Sequence, residues 1–182
     1  MKPELMDESW YIHLKYLFED GTMEKIRSAL TSQTCPKNFK HIFRAFLMPL
    51  NEVKICLLGL SPYPNINDAT GLAFAVNGDR PYAHWPFSLK VINDAISYDY
   101  SDITYALDPS LVSWEKQGIF LTNVALTCEA GQALSHIELW RPFTEKVIKL
   151  LDENRIIFYL LGNEAKSYKQ HIKYSAIFES VH

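Results

Sequence analysis

The segment ICLLGLSPYPNINDATGLAFAV, residues 55–76, carries the strongest indication of both fold and function. It begins with an apolar run that has the length and composition of a buried strand and breaks at Gly59. Pro62 and Pro64 follow, and a second apolar run closes the segment. Because proline fixes its own φ, the pattern predicts a stiff turn held at the end of a buried strand.

The rest of the chain places this strand in a larger sheet. Asp7 or Ser9 is expected to cap a first helix, and the first fifty residues read as helical. Five apolar runs then read as strands, at residues 53–58, 72–76, 119–122, 156–161 and 175–181. Helical patterns lie between them, at residues 88–96, 109–116, 137–151 and 164–172. This alternation predicts one α/β domain over residues 1–182, with three layers (α/β/α) and a central, mostly parallel sheet of four to five strands.

Residues suited to ligand binding follow the ends of the predicted strands. They are the segment Ser61-Pro62-Tyr63, Asn123, the pair Gly162-Asn163, and His182. Parallel sheets bind ligands in the crevice outside the carboxyl ends of their strands. We therefore expect these loops to converge on one site.

Composition narrows the class of protein. The 182 residues carry a formal net charge of −3, which argues against a broad basic surface that grips nucleic acid through many phosphates. We find neither a run of about 18 apolar residues nor the basic-then-apolar order of a signal peptide. The three cysteines suggest neither a disulfide framework nor a metal site. We therefore expect an intracellular protein that is not secreted and has no membrane contact.

Ordered motifs along residues 9–182 resemble the classical branch of the uracil-DNA glycosylases. That family has a Gly-Gln-Asp-Pro-Tyr-His segment followed by a Gly-Leu-x-Phe-x-Val strand. Here GLSPYP and GLAFAV begin at Gly59 and Gly71, at the family spacing. The segments WPFSLKVI, WEKQGIFLTNVALTCEAGQALSHIELWRPFT, FYLLGNEAKSY and SVH match further motifs in order. Poxvirus members also read Pro-Tyr-Pro.

The resemblance implies a pocket for a uracil base that has been extruded from DNA. Phe74 would stack on the base. Asn123 would read its edge, because one amide offers a donor and an acceptor that match uracil and mismatch cytosine. Tyr63 would fill the space beside C5 and exclude the methyl group of thymine.

The resemblance also implies catalysis without metal or cofactor. His182 would hydrogen-bond uracil O2 as negative charge develops there, together with backbone N–H groups near Leu60 and Ser61. Phosphates would be held by hydroxyl and backbone donors instead of a basic face. The positions that match this role are Ser88, Ser135, His136, Gly162 and Asn163.

Two departures from the family pattern predict weak catalysis. Ser61 stands where the family has its catalytic Asp, and a neutral hydroxyl cannot balance the cationic sugar of the transition state. Asp68, seven residues on, is a conceivable substitute. The sequence ends at His182, where the family continues with a loop whose leucine wedges into the DNA stack, so either a tail is omitted or the wedge is missing. Without the wedge, single-stranded or mismatched uracil is the expected substrate.

Three functions remain open on these residues. The first is a uracil-DNA glycosylase of reduced activity, acting in base excision repair. The second is a catalytically inactive homologue that binds DNA or a protein partner, as a replication or regulatory subunit. The third is a glycosylase for a modified pyrimidine. We expect a monomer in the cytoplasm, in the nucleus or at a site of viral replication.

Overall fold

The computed structural model describes residues 2–99 and 107–180. Its strands are β1 Thr34–Cys35, β2 Ile55–Gly59, β3 Ile119–Asn123, β4 Cys128–Glu129, β5 Ile157–Leu161 and β6 Ile177–Ser180. Its α-helices are α1 Glu8–Leu14, α2 Thr22–Ala29, α3 Phe87–Asp99, α4 Val112–Glu115, α5 Ile137–Glu153 and α6 Asn163–Ser167. Within these described residues, no helix is both long and apolar enough to cross a membrane.

A four-stranded sheet in the order β3-β2-β5-β6 forms the centre of the fold. Every neighbouring pair in it is parallel, so the carboxyl ends of the strands meet at one edge. The register pairs Gly59 with Asn123, and Leu161 with Ser180. Helices surround this sheet. The predicted α/β class and the mostly parallel sheet are confirmed.

The predicted strand at residues 72–76 is wrong. The segment is buried, as its apolar composition requires, but it forms a turn outside the sheet. Gly71 has φ +90° and Phe74 has φ +65°, and neither value fits an extended strand. Ala73 N–H still donates to the Leu121 carbonyl at 3.1 Å, which attaches the turn to β3.

The sequence analysis did not anticipate a short antiparallel ribbon. Strands β1 and β4 pair there over two residues each, with Cys35 opposite Cys128. Two-residue strands are too short to show any periodicity. The segment after β4 also contacts the turn after β2, because Gly131 N–H donates to the Pro64 carbonyl at 2.8 Å. The ribbon therefore supports the turn that the quoted segment forms.

The predicted helices are present with shifted ends. Asp7 caps α1 by accepting a hydrogen bond from Ser9 N–H at 2.9 Å. Residues 39–47 form a 3-10 helix that ends before Pro49. The helix predicted at residues 109–116 is the shorter α4. The one predicted at residues 164–172 divides into α6 and a 3-10 turn, Tyr168–His171.

Aromatic packing joins the first helix to the sheet. Trp10 is fully buried and stacks on Phe120 of β3, with ring centroids 4.8 Å apart. Phe46 meets both rings edge to face at 5.1 Å. The Trp10 indole N–H donates to the Met48 carbonyl at 2.7 Å, so its buried polar atom has a partner. This cluster fixes the helical N-terminal region against β3.

Asp152, near the end of α5, positions the segment that leads into β6. Its buried carboxylate accepts hydrogen bonds from the backbone N–H groups of Lys173, Tyr174 and Ser175 at 2.8, 2.9 and 3.0 Å. Burial alone would raise the pKa of the Asp152 carboxyl, but these hydrogen bonds outweigh it and hold the pKa below its usual value. The ionised carboxylate therefore stabilises the folded chain.

We predict that Asp152→Asn lowers the free energy of unfolding by about 1–3 kcal/mol at pH 7, because the charge-assisted hydrogen bonds weaken. A lowered pKa in the folded state gives stability that is present above the unfolded pKa and lost in acid. The difference from wild type should therefore narrow below pH of about 4. Urea denaturation at each pH measures the free energy of unfolding of the variant and of wild type. Glu153→Gln, at an exposed position, is the control. Equal midpoints for the two variants would contradict the prediction.

Candidate active site

A cavity opens at the carboxyl edge of the sheet, where the strand ends meet. Its volume of about 310 Å³ lies at the small end of the range for ligand pockets. Five segments supply its walls: the turn after β2, the turn around Phe74, the start of α3 with the residue before it, the end of β3, and the loop after β4. The lining residues are Leu60, Ser61, Pro62, Tyr63, Pro64, Phe74, Pro86, Phe87, Ser88, Asn123 and Ala133.

Gly59 is the point at which the two recognition side chains come together. A Cβ atom at this position would lie 2.6 Å from Asn123 Oδ1 and 2.7 Å from Phe74 Cζ. Both distances are shorter than real Cβ contacts allow, so only glycine fits. The amide of Asn123 and the ring of Phe74 therefore lie close together at the base of one cavity, as the sequence analysis requires.

The Asn123 amide is buried beside the cavity, with 8% of the residue exposed. Among the described residues, the only fully buried side-chain N or O atom without a hydrogen-bond partner is Tyr168 Oη, so the polar atoms of Asn123 are not buried and unsatisfied. No hydrogen bond joins the Asn123 amide to another described side chain, and the residue lines the cavity. An amide in this position is suited to binding a polar ligand.

Phe74 reaches the cavity from a strained turn. Its φ of +65° is uncommon for a bulky side chain and costs about 1–2 kcal/mol. Tyr63 holds this turn, because its hydroxyl donates to the Phe74 carbonyl at 2.9 Å. Tyr63 Oη also lies 3.0 Å from Ser88 Oγ. Since the single phenolic proton goes to Phe74, the Ser88 hydroxyl is the donor in this second bond.

Tyr63 stays neutral over the physiological pH range. Burial raises the pKa of Tyr63 to about 12, although the hydrogen bond with Ser88 lowers it slightly. Its hydroxyl is therefore always available as a donor to the Phe74 carbonyl. The Tyr63 ring is consequently fixed in the cavity wall by partners on two different segments.

Ser61 lines the cavity but brings no charge to it. Its hydroxyl donates to the Pro62 carbonyl at 3.2 Å. The Cys128 thiol donates to the same carbonyl at 3.4 Å and also contacts the Ser61 side chain. Burial raises the pKa of Cys128 to about 12, so the thiol remains a protonated donor and not a nucleophile. Through Cys128, the ribbon of β1 and β4 therefore supports the turn after β2.

No carboxylate lies among the described residues that line the cavity. Asp68, the conceivable substitute for the missing Asp, does not line the cavity: it is buried and forms an ion pair with Arg80, although its charge is near enough to help raise the pKa of Tyr63. The described residues also contain no cluster of three or more His, Cys, Asp or Glu suited to a metal ion. The cavity therefore combines neutral polar groups with apolar walls.

The positions predicted to contact DNA phosphates fall into two groups. Ser88 lines the cavity in the first turn of α3, and Gly162 and Asn163 follow β5 at the same edge of the sheet. Ser135 and His136 lie on the loop before α5. His182 lies outside the described residues.

Ser135 and His136, the two predicted phosphate contacts on the loop before α5, have hydrogen-bond partners within the protein. Ser135 Oγ donates to the Gln132 carbonyl and accepts from Glu129 N–H, each at 2.8 Å. The buried His136 ring has Nδ1 2.9 Å from Thr127 Oγ1, and burial lowers the pKa of His136. Both side chains therefore stabilise the loop before α5, and their contact with DNA stays a prediction.

Phe87 and Ala133 also line the cavity, and the sequence analysis did not single them out. Phe87 stands beside Pro86 in the quoted WPFS segment, so its place in the loop was visible. Its orientation was not, because apolar residues in loops more often pack inward than face a ligand. The demand for glycine at Gly59 was equally hidden, since it arises from contacts between distant segments.

Comparison with known proteins identifies the family. A profile described as the uracil DNA glycosylase superfamily matches residues 47–182. The chain belongs to this superfamily. It is 35% identical to the uracil-DNA glycosylase of Bacillus subtilis over 98% of its own length and 82% of the relative's. The Saccharomyces cerevisiae enzyme is 34% identical, over 89% of this chain but only 48% of the yeast protein.

Solved structures give the same family. The mimivirus uracil-DNA glycosylase superposes on 98% of this chain and 69% of its own, with a TM-score of 0.85 at 26% identity. The resemblance on which the sequence analysis relied is thereby confirmed. All the residues that line the cavity lie within the segment that matches the superfamily profile.

We predict that Gly59→Ala displaces the Phe74 ring and the Asn123 amide, because the new methyl group overlaps both. Overpacking of this kind typically lowers stability by about 1–3 kcal/mol. NMR resonances of the Asn123 side-chain amide should shift, and thermal unfolding should move downward. Gly78→Ala is the control, since its nearest contact is an ordinary 3.5 Å. Unchanged amide resonances in Gly59→Ala would contradict the overlap.

Proposed function

We propose that this protein hydrolyses the N-glycosidic bond of uracil in DNA, at a reduced rate. One observation supports this above all others: the Asn123 amide lies beside the Phe74 ring in a cavity of about 310 Å³. An aromatic ring and an amide are what an extruded pyrimidine needs for stacking and edge recognition. Membership of the superfamily supports the same substrate.

Asn123 supplies the discrimination between uracil and cytosine. The amide NH₂ donates to uracil O4 while its oxygen accepts from N3–H. Cytosine presents a donor and an acceptor in the opposite places. Binding cytosine would leave buried polar groups unpaired, which costs about 1–3 kcal/mol for each group.

Tyr63 supplies the discrimination against thymine. Its hydroxyl is bound to both the Phe74 carbonyl and Ser88, so the ring cannot move aside without breaking two hydrogen bonds. A methyl group on C5 of the base meets this fixed ring. Overlap in a close-packed wall is costly, and thymine is therefore excluded.

Ser61 and His182 act on the reaction itself. Water attacks C1′ of the sugar, the bond from C1′ to N1 of the base breaks, and the departing uracil takes the electron pair. The proton that the attacking water loses neutralises the uracil anion, which leaves free uracil and an abasic sugar. His182 and backbone N–H groups near Leu60 stabilise that negative charge on O2. Ser61 orients the water but offers no charge to the cationic sugar. Losing one preorganised electrostatic group typically costs about 10²–10³ in rate.

Neutral donors suit the phosphates in this proposal. Ser88 lines the cavity, and Gly162 and Asn163 follow β5 at the same edge of the sheet. Hydroxyl and backbone N–H groups bind phosphate without a basic face. This agrees with the net charge of −3. We infer that single-stranded or mismatched uracil is the preferred substrate and that the protein acts as a monomer inside the cell. The three buried free cysteines support an intracellular site.

A second function is favoured by one specific observation. No carboxylate lines the described cavity, which suits a homologue that binds DNA or a protein partner without catalysis. The intact uracil pocket favours the enzyme, because a pure binding module does not need it. A glycosylase for a modified pyrimidine is less favoured, because two hydrogen bonds hold the Tyr63 ring in place and a larger base would overlap it.

We predict that Ser61→Asp raises the single-turnover rate of uracil release from single-stranded DNA by about 10²–10³. The Ser61 hydroxyl now donates to the Pro62 carbonyl, but a carboxylate has no proton to donate there, so the new side chain should turn toward the cavity. The substrate is an oligonucleotide with one deoxyuridine. His182→Ala should abolish the slow wild-type release.

Asn123→Ala is the matched control for Ser61→Asp, since it removes recognition and leaves the catalytic turn unchanged. The Ser61→Asp, Asn123→Ala double variant should release no uracil. Absence of release by wild type and by Ser61→Asp, while both still bind the strand, would contradict the enzyme and support the binding homologue.

A further inference from the structure

Two large apolar side chains border the mouth of the cavity and face water. Phe87 lines the cavity with 76% of the residue exposed. Leu134 is 62% exposed and directly follows Ala133, which also lines the cavity. Among the large hydrophobic residues of the described chain, only Tyr98 is more exposed than Phe87. We call Phe87 and Leu134 the apolar rim.

Both rim residues project from firmly held backbone. Phe87 is the first residue of α3, and the two residues after it hold this end of the helix in place. The Ser88 hydroxyl bonds Tyr63, and the Leu89 side chain is fully buried. Leu134 precedes Ser135, whose hydroxyl fastens the loop to Glu129 N–H at 2.8 Å. Neither rim side chain is needed to fill the core. Exposed apolar side chains beside a cavity are available to contact a ligand that extends out of it.

Charge beside the rim favours a nucleic acid as that ligand. Lys90 lies one turn after Phe87, and its Nζ is 5.5 Å from the ring centroid of Tyr82, which is itself half exposed. The same Nζ donates to the Ala83 carbonyl at 3.0 Å, so the cation is held in place. Exposed aromatic rings next to a cation are the combination with which proteins bind single strands, by stacking and phosphate attraction.

We propose that the apolar rim binds the nucleobases next to the extruded one, with Phe87 stacked on a neighbouring base and Leu134 as a second apolar contact. This rests on the proposed function, because extrusion of a nucleotide exposes the faces of its neighbours. Apolar side chains that cover such faces stabilise the open strand. Stacking on a phenyl ring is tolerant of sequence, so the rim adds affinity without selecting the flanking bases.

The test uses a fluorescently labelled single-stranded oligonucleotide with one tetrahydrofuran abasic site at its centre. This strand has no bond for the protein to hydrolyse, so binding is measured independently of excision. We expect Phe87→Ala to weaken binding by about 5- to 100-fold, which is the loss typical of one base–aromatic stack. Leu134→Ala should give a smaller loss, and Phe87→Trp should restore binding.

Salt dependence separates stacking from charge. Phe87→Ala should lower the affinity equally at every salt concentration, whereas Lys90→Gln should make binding less dependent on salt. Tyr174→Ala is the matched control, because Tyr174 is 62% exposed but precedes β6, at the opposite end of the strands. It should bind as wild type does. Thermal unfolding of Phe87→Ala should match wild type, since the side chain is exposed.

Four results would overturn the proposal. In Phe87→Ala they are an affinity equal to that of wild type or a changed salt dependence. The others are failure of Phe87→Trp to restore binding and weak binding of the abasic strand by wild type itself. Tight wild-type binding that depends on the rim, with no release of uracil from a deoxyuridine strand, would support the rim and contradict the proposed enzyme.

Discussion

The close approach at Gly59 is the constraint on which the site depends. The parallel register places Asn123 directly opposite Gly59, and the missing side chain leaves room for both the Asn123 amide and the Phe74 ring. Any larger residue would occupy the space in which these two groups meet. The cavity thus follows from strand pairing, because two neighbouring strands end together and one of them ends in glycine.

A single hydroxyl connects the recognition elements. Tyr63 donates to the carbonyl of Phe74, whose backbone is strained, and accepts from Ser88 at the start of α3. A net gain of about 0.5–1.5 kcal/mol for each hydrogen bond is comparable to the cost of the left-handed backbone at Phe74. The stacking face and the steric wall are therefore held by the same bonds, and neither can shift alone.

The sequence alone predicted the parts of the fold that follow from periodicity and the parts of the site that follow from strand ends. The parallel sheet and the placement of Asn123 and Tyr63 at its carboxyl edge belong to these. The strand predicted around Phe74 failed because an apolar run reports burial but not the sign of φ. The two-residue ribbon and the exposure of Phe87 depend on contacts between distant segments, which composition does not encode.

In the proposed function, recognition and rate would depend on different groups in this cavity, and Ser61 would affect only the rate. The base would contact Asn123, Phe74 and Tyr63, whose hydrogen bonds and contacts do not involve Ser61. Ser61 bonds instead to the Pro62 carbonyl, which also accepts a hydrogen bond from Cys128. A hydroxyl in place of a carboxylate would offer no charge to the sugar, while the contacts that shape the proposed base pocket would stay the same. We therefore propose that affinity for uracil and turnover are separable properties of this protein.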